Sequence, residues 1–344
     1  MTARSKQLAN LIVRITITII LLLLVLRKID LNQFWQTVRA GRWEFLIAVW
    51  IFTVAHYWIR CITLQLVLKK LSCNVTIATL FRASSISALY SMIMPGMLSS
   101  GAKWYILKKD TGKGTNVFSG MIYNQLLILI TTIMCGLAAL MVTNPSTVLI
   151  GSGNGWLLPA FCGLLLSIVI IMTGLMLNRR TGGKFLKALQ YLLKTFPDKM
   201  RQKGNEILEQ ITVFQTIGWR FHLTIASIAI SGTLIEGVIR YMFAAKGANI
   251  DAPVGIFIWI WAIIYLVGRL PVSFANLGIR EAVLVFVLPI YGAETSQALL
   301  MSMIILSGLV IMAAIGGIYQ LSWALQSSRK TNNNQSAKSP KSNE

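Results

Sequence analysis

The sequence is dominated by apolar segments that are each long enough to cross a lipid bilayer. A helix needs about 20 apolar residues to span the hydrocarbon core, and nearly uncharged runs close to that length recur along the 344 residues. Membrane β-strands would instead appear as alternating segments of about 10 residues. The pattern predicts an all-α polytopic membrane protein of about eight spans. We predict these spans at about 9–26, 45–68, 77–94, 117–142, 157–177, 219–243, 253–268 and 295–323.

Charged residues are few and mostly basic. They make up 12% of the chain, and 32 basic residues against 11 acidic ones give a net charge of +21. The cations cluster in loops and tails, where the positive-inside rule and anionic headgroups explain them. We therefore expect an anionic membrane lipid as a partner and no nucleic acid. The sequence predicts no cofactor and no metal site, and the four cysteines are too scattered for a disulfide framework.

The charges of the loops predict the orientation of the chain. Segment 143–156 carries no charge, whereas 178–220 carries nine basic residues against three acidic ones. The positive-inside rule places the second loop in the cytoplasm, and both termini then lie on that side of the cell inner (cytoplasmic) membrane. We interpret 9–26 as an uncleaved first span. The basic segment 27–44 should then lie outside, and we interpret it as an interfacial helix anchored by tryptophans.

We divide the chain into a membrane domain and a tail. Residues 1–324 form the integral membrane domain, whose cytoplasmic loop 178–218 contains a basic amphipathic helix suited to lying on an anionic leaflet. Residues 325–344 are basic and rich in Asn and Ser, a composition typical of disorder.

The apolar pattern is interrupted within "MIMPGMLSSGAKWYILKK", residues 92–109. Proline removes a backbone donor and clashes with the preceding turn, so the helix must break or kink there. We predict a short helix that restarts at about 101–109, with a serine N-cap and with Lys103 in its first turn. The residues that make this break are Pro95, Gly96, Ser100 and Gly101.

The segment "GRLPVSFANLGIREAVLV", which begins at Gly268, repeats this design. Here Pro271 ends the helix, and Asn276 is the predicted N-cap of a second short helix at about 279–290. Arg280 follows two residues after Gly278, as Lys103 follows two residues after Gly101. The fold class therefore includes two broken or re-entrant helix segments in addition to the spans.

The cation at each restart needs an explanation. A helix N-terminus carries about half a positive charge, which disfavours Lys103 and Arg280 at these positions. The simplest explanation is a bound anion that interacts with both the exposed backbone N–H groups and the cation. A phosphate headgroup is an anion of this kind. We predict that Glu281 orients Arg280. The predicted headgroup-binding residues are Lys103, Arg280, Glu281, Ser100, Gly101, Asn276 and Gly278.

The helix before each break carries a polar pair at i, i+4. The pairs are His56 with Arg60, and Glu236 with Arg240. Because the two breaks would be entered from opposite sides, we predict an inverted repeat, a layout used by transporters. The alternatives are snorkelling of the arginines towards the interface and structural hydrogen bonds between helices.

The second break segment resembles the signature of the lysylphosphatidylglycerol synthase transmembrane-region family, and the resemblance covers most of 9–323. The first segment resembles the family's earlier Pro-Gly…Gly segment, except that the family usually has an acidic residue where this chain has Ala102. The resemblance implies the flippase-like, lipid-translocating region without synthase activity. The matched residues are Pro95, Gly96, Gly101, Pro271, Gly278, Ile279, Arg280 and Glu281.

Three functions fit the sequence. The first is translocation of an anionic or phosphate-bearing lipid, such as a phospholipid, an aminoacylated lipid or an isoprenoid-phosphate carrier. The second is a non-catalytic membrane partner of a lipid or polysaccharide biosynthetic enzyme. The third is an intramembrane lipid-linked transferase, which would need paired carboxylates or a metal site. We expect the first function and no enzymatic activity.

Overall fold

The computed structural model describes residues 31–93, 96–146, 155–177, 217–269 and 278–338, together with four isolated residues between 178 and 216. Every regular element in these ranges is helical. The helices are α1 Leu31–Ala40, α2 Glu44–Lys70, α3 Ile77–Ile93, α4 Gly96–Thr111, α5 Gly114–Thr143, α6 Leu157–Leu177, α7 Trp219–Gly247, α8 Val254–Val267, α9 Ile279–Val287 and α10 Thr295–Lys338. A short 3₁₀ helix, Leu288–Tyr291, follows α9.

Five helices are long and apolar enough to cross a membrane: α2, α5, α6, α7 and the part of α10 from Thr295 to Ser322. In hydrocarbon each backbone N–H and C=O must be satisfied within its own segment, which makes the helix the solution for a long apolar run. The prediction of an all-α polytopic membrane protein is confirmed. The predicted spans from 45–68 onward each coincide with a helix, and the first one, 9–26, lies outside the described residues.

Hydrogen bonds between loops define two ends of the molecule. Near the C-terminus of α2, Nζ of Lys113 donates to the carbonyl of Ser72 at 3.0 Å, so the connection between α4 and α5 lies there. We call this the Lys70 end. At the other end of α2, the backbone N–H of Arg42 donates to the carbonyl of Gly247 at 2.9 Å, which places the C-terminus of α7 there. We call this the Glu44 end.

Helices α3 and α4 form a hairpin that opens at the Lys70 end. Helix α3 starts beside the end of α2, and α4 returns to the loop that contains Lys113. Across the turn, the hydroxyl of Ser87 donates to the carbonyl of Ser99 at 2.7 Å. With 17 residues, α3 is about 26 Å long, shorter than the roughly 30 Å hydrocarbon core. Both ends of the hairpin therefore lie at the Lys70 end of the molecule.

Helices α8 and α9 form a second hairpin that opens at the Glu44 end. Helix α8 begins just after the end of α7, and the chain beyond α9 starts α10 close to the same loop, because Nε2 of Gln297 donates to the carbonyl of Asn249 at 3.0 Å. Helix α8 has 14 residues and a length of about 21 Å. The two hairpins thus open at opposite ends of the molecule.

Each hairpin has its own hydrophobic core. One core surrounds α3 and α4, the other surrounds α8 and α9, and α10 packs against both, through Met312 in the first and Ile304 in the second. Gly316 lets α10 approach α3 closely, because a Cβ atom at this position would overlap the backbone carbonyl of Ser85. Small residues at such crossings are the usual means of tight packing in membranes.

Two sequence-based boundaries need correction. Helix α4 starts at Gly96 instead of residue 101, so Ser100 and Gly101 lie inside the helix and Ser100 is not an N-cap. Helix α10 continues to Lys338, because neither proline nor glycine occurs between Gly317 and residue 339 to stop it. Residues 325–338 of the predicted disordered tail are therefore helical.

One other prediction can be compared with the structure, and several lie outside the described residues. Helix α1 is the helix expected within 27–44. The amphipathic helix predicted in 178–218 and the residues Pro95, Pro271 and Asn276 lie outside the described residues. Helix α9 begins at Ile279 with Gly278 as its N-cap, so the prediction that Asn276 is the N-cap is wrong.

Candidate functional site

A buried ionic network surrounds Glu236 in the interior of the molecule. Its Oε2 lies 2.5 Å from Nε2 of His56 and 3.7 Å from the guanidinium of Arg60. Its Oε1 lies 3.2 Å from the guanidinium of Arg240. The two i, i+4 pairs of the sequence are thus one four-residue network, which we call the Glu236 network, with the carboxylate at its centre.

The Glu236 network lies deep in the membrane region. At 1.5 Å per residue, both His56 in α2 and Glu236 in α7 are more than about 15 Å from either end of their helices. A charged residue at such a depth costs about 2.5–3.5 kcal/mol on insertion scales. Arg60 is also about 15 Å from the end of α2, so snorkelling to the nearer interface does not account for it.

The backbone of α7 is unusual where it carries this network. Residues Ile235–Arg240 form one π-helical turn within the α-helix, a feature frequently found at functional sites. Gly237 in this turn lies against the indole of Trp261 on α8. The carbonyl of Gly232, one turn earlier, lies 3.0 Å from Nδ1 of His56 and fixes the imidazole ring.

Two residues that the sequence analysis did not single out extend the network. The guanidinium of Arg60 lies 5.6 Å from the ring centroid of Tyr265, and that of Arg269 lies 4.5 Å from the same centroid. Arg269 also donates a hydrogen bond to the hydroxyl of Tyr265. In the sequence, these two residues could have been identified from their i, i+4 spacing at the end of an apolar helix.

Lys103 is next to this network but is not neutralised by it. It lies close enough to Arg60 and to the thiol of Cys61 to interact electrostatically with both. It makes no hydrogen bond or ion pair within the described part of the chain. Lys103 is the eighth residue of α4, so the expectation that it belongs to a first helical turn is wrong.

Arg280 has a different environment. It is the second residue of α9, as predicted, and it is buried. Its Nε donates to the hydroxyl of Ser302 at 2.7 Å, and its terminal nitrogen pairs with Glu281. The other oxygen of Glu281 accepts a hydrogen bond from the backbone N–H of Gly278 at 2.7 Å. Gly278 has φ +85°, where glycine carries no steric penalty.

The Arg280–Glu281 pair therefore connects the start of α9 to α10, and the two opposite charges neutralise each other. The prediction that Glu281 orients Arg280 agrees with these contacts. Tyr241 lies beside the Glu236 network, because the guanidinium of Arg240 is 5.8 Å from its ring centroid.

The space inside the Glu236 network is small. A cavity of about 10 Å³ lies beside His56 and Arg60, which is room for about one water molecule. Three cations at the rim of this region are accessible to solvent: Arg60 and Lys103 are partly exposed, and Arg269 is exposed. Within the described residues, no group of three or more His, Cys, Asp or Glu is arranged to hold a metal ion.

Comparison with known proteins gives one match. Searches of curated proteins and of solved structures found no similar protein. The family described as "Lysylphosphatidylglycerol synthase TM region" matches residues 11–317, and this range contains both hairpins and the Glu236 network. The chain is an integral membrane protein that belongs to the lysylphosphatidylglycerol synthase transmembrane-region family.

Proposed function

We propose that the protein binds the headgroup of an anionic or phosphate-bearing lipid and moves the lipid between leaflets. One observation carries the proposal: Arg60 is a partly exposed cation at membrane depth, and its nearest carboxylate, Glu236, is already engaged by His56 and Arg240. Cations without a counter-charge are costly in the membrane. An anionic headgroup would supply that charge.

The arrangement of the hairpins supports movement across the bilayer. One hairpin opens at the Lys70 end and the other at the Glu44 end. In this proposal the central cations therefore have one hairpin that opens toward each leaflet. We propose that the two halves form an inverted repeat, in which rocking of one half against the other exposes the site alternately. In this proposal, Arg280 and Glu281 position α9, while Lys103 and Arg60 contact the headgroup.

We also propose that the protein lies in the cell inner (cytoplasmic) membrane with the Lys70 end in the cytoplasm. Helix α7 begins at this end, where Phe221 lies beside Lys70, and it follows the basic segment 178–220, which the positive-inside rule favours in the cytoplasm. The driving force would come from an ion gradient, a partner protein or lipid mass action.

The test is translocation of a labelled anionic phospholipid in proteoliposomes. Loss of one hydrogen bond to a charged group removes about 1.5–3 kcal/mol, so we expect Lys103→Ala and Arg60→Ala each to slow translocation about tenfold or more. Lys108→Ala is the matched control, because Lys108 is an exposed cation on the same helix, over the ring of Trp104, and should leave the rate unchanged.

Unchanged rates in Lys103→Ala and Arg60→Ala would refute the assigned roles. If the parent protein moved no lipid and instead co-purified with a biosynthetic enzyme, the partner function would replace the proposal. Turnover of a lipid-linked substrate that depends on a divalent metal would favour the transferase.

A further inference from the structure

The cations around the Glu236 network outnumber its carboxylates. Lys103, Arg60, Arg240 and Arg269 are linked to one another through Arg60, Glu236 and Tyr265, and Glu236 is the one carboxylate among them. Arg269 is exposed and lies just beyond the end of α8. The other three cations against one carboxylate leave two positive charges when His56 is counted as neutral. The Arg280–Glu281 pair adds no net charge.

The remaining described acids do not compensate this excess. Six acidic residues lie in the described ranges, and two of them are Glu236 and Glu281. The other four lie at or beyond helix ends: Glu44, Asp110, Asp251 and Glu294. Glu44, for example, is exposed and bonded to Arg42. Within the described part of the chain, no acidic side chain therefore balances this excess.

The cations at the rim are also suited in shape to phosphate oxygens. The guanidinium groups of Arg60 and Arg269 are both held over the ring of Tyr265, and a guanidinium fork matches phosphate in a bidentate manner. The ammonium of Lys103, which is partly exposed, acts as a point charge. Nε of Arg240 is buried and has no hydrogen-bond partner among the described residues.

We infer that the lipid headgroup carries at least two negative charges, as a terminal phosphomonoester or a diphosphate does, and this inference rests on the proposed function. A phosphomonoester carries about −1.5 to −2 charges at pH 7, and a diphosphate carries more. A phosphodiester such as phosphatidylglycerol offers a single charge, and a lysyl headgroup adds positive charge to a site that already has an excess. The aminoacylated lipids are therefore the poorest fit among the candidate substrates.

The experiment measures binding to the purified full-length protein in nanodiscs. The probes are a polyprenyl diphosphate, phosphatidic acid, phosphatidylglycerol and lysylphosphatidylglycerol, with soluble inorganic pyrophosphate as a separate arm. Because each added charge-assisted contact is worth about tenfold in affinity, we expect the first two lipids to bind at least tenfold more tightly than phosphatidylglycerol. Lysylphosphatidylglycerol should bind most weakly.

Variants test whether the preference for lipids with two or more negative charges depends on Arg269. Arg269→Gln should lower the affinity for the polyprenyl diphosphate about tenfold, with a smaller effect on phosphatidylglycerol. Arg220→Gln is the matched control, since it removes an exposed arginine at the Lys70 end of α7. An unchanged melting temperature of Arg269→Gln would show that the loss is not one of folding.

The outcomes separate this inference from the proposed function. Tight binding or fast translocation of phosphatidylglycerol or lysylphosphatidylglycerol, with weak binding of the diphosphate, would overturn the inference and leave lipid translocation standing. Binding of no lipid at all would overturn both. If pyrophosphate bound as tightly as the lipid diphosphate, the site would recognise a soluble anion and the inference of a lipid headgroup would fail.

Discussion

Replacement of Glu236 by glutamine tests whether this carboxylate holds α2 and α7 together. Gln has nearly the same shape as Glu but no charge, so Glu236→Gln leaves His56, Arg60 and Arg240 in place without their shared counter-ion. Arg240 is affected most, because its side chain is 10% exposed and its closest carboxylate oxygen is 3.2 Å away. Arg60, at 3.7 Å and 26% exposed, has Tyr265 as a second neighbour.

Removal of one partner of a buried ion pair costs about 3–5 kcal/mol, and we expect a loss of that size in the free energy of unfolding. The double variant Glu236→Gln/Arg240→Gln removes both members of the closest arginine–carboxylate pair of the network. Coupling energies between contacting charged residues reach about 3 kcal/mol, so the double variant should regain about 2 kcal/mol relative to Glu236→Gln. The measurement is reversible unfolding of the purified protein in detergent, followed by tryptophan fluorescence.

The matched control is Glu44→Gln. Glu44 also pairs with an arginine, Arg42 at 2.9 Å, but both side chains are more than half exposed, and exposed pairs contribute about 0–1 kcal/mol. The reasoning fails if Glu236→Gln costs no more than Glu44→Gln. It also fails if Glu236→Gln/Arg240→Gln is no more stable than the single variant, because the cost would then not come from an uncompensated arginine.

Two further predictions concern the fold. Gly316→Leu should lower the melting temperature strongly, because the new side chain would overlap the backbone of Ser85 on α3. Gly317→Leu should have little effect, because no atom lies within 4 Å of a Cβ at that position. A similar loss in both variants would contradict the close crossing of α10 and α3. Cysteines introduced as Lys69→Cys and Asp251→Cys should react with a membrane-impermeant maleimide from opposite sides of the membrane, and labelling from one side would contradict the assignment of the two ends.

Much of the fold could be predicted from the apolar runs. The predicted spans 117–142 and 157–177 correspond to helices Gly114–Thr143 and Leu157–Leu177. A run of this length without charges has few alternatives in a bilayer, because any other backbone conformation would leave polar groups unsatisfied.

The restart after the first break was placed five residues too late. Small residues such as Ser100 and Gly101 indicate a loop in a soluble protein, but glycine is common within membrane helices. In the structure the helix already includes Gly96. Composition alone could not separate these two possibilities.

The partners within the Glu236 network could not be predicted either. Spacing along one helix identifies residues that share a face, but the contact of Glu236 with His56 depends on how α2 packs against α7. The π-helical turn at Ile235–Arg240 has no signal in composition, although it sets the positions of Glu236 and Arg240. The role of Tyr265 depends likewise on the contact of α8 with α2.

The two hairpins differ in how their cations are balanced, and this difference accounts for the charge excess at the centre. In the second hairpin, Arg280 is followed directly by Glu281, and the two side chains neutralise each other. In the first hairpin, Lys103 is preceded by Ala102, which carries no charge. Lys103 therefore has no adjacent carboxylate in the sequence of the kind that Arg280 has in Glu281. An Ala102→Glu variant would have a less positive site, so its preference for lipids of higher negative charge should be weaker than that of the parent protein.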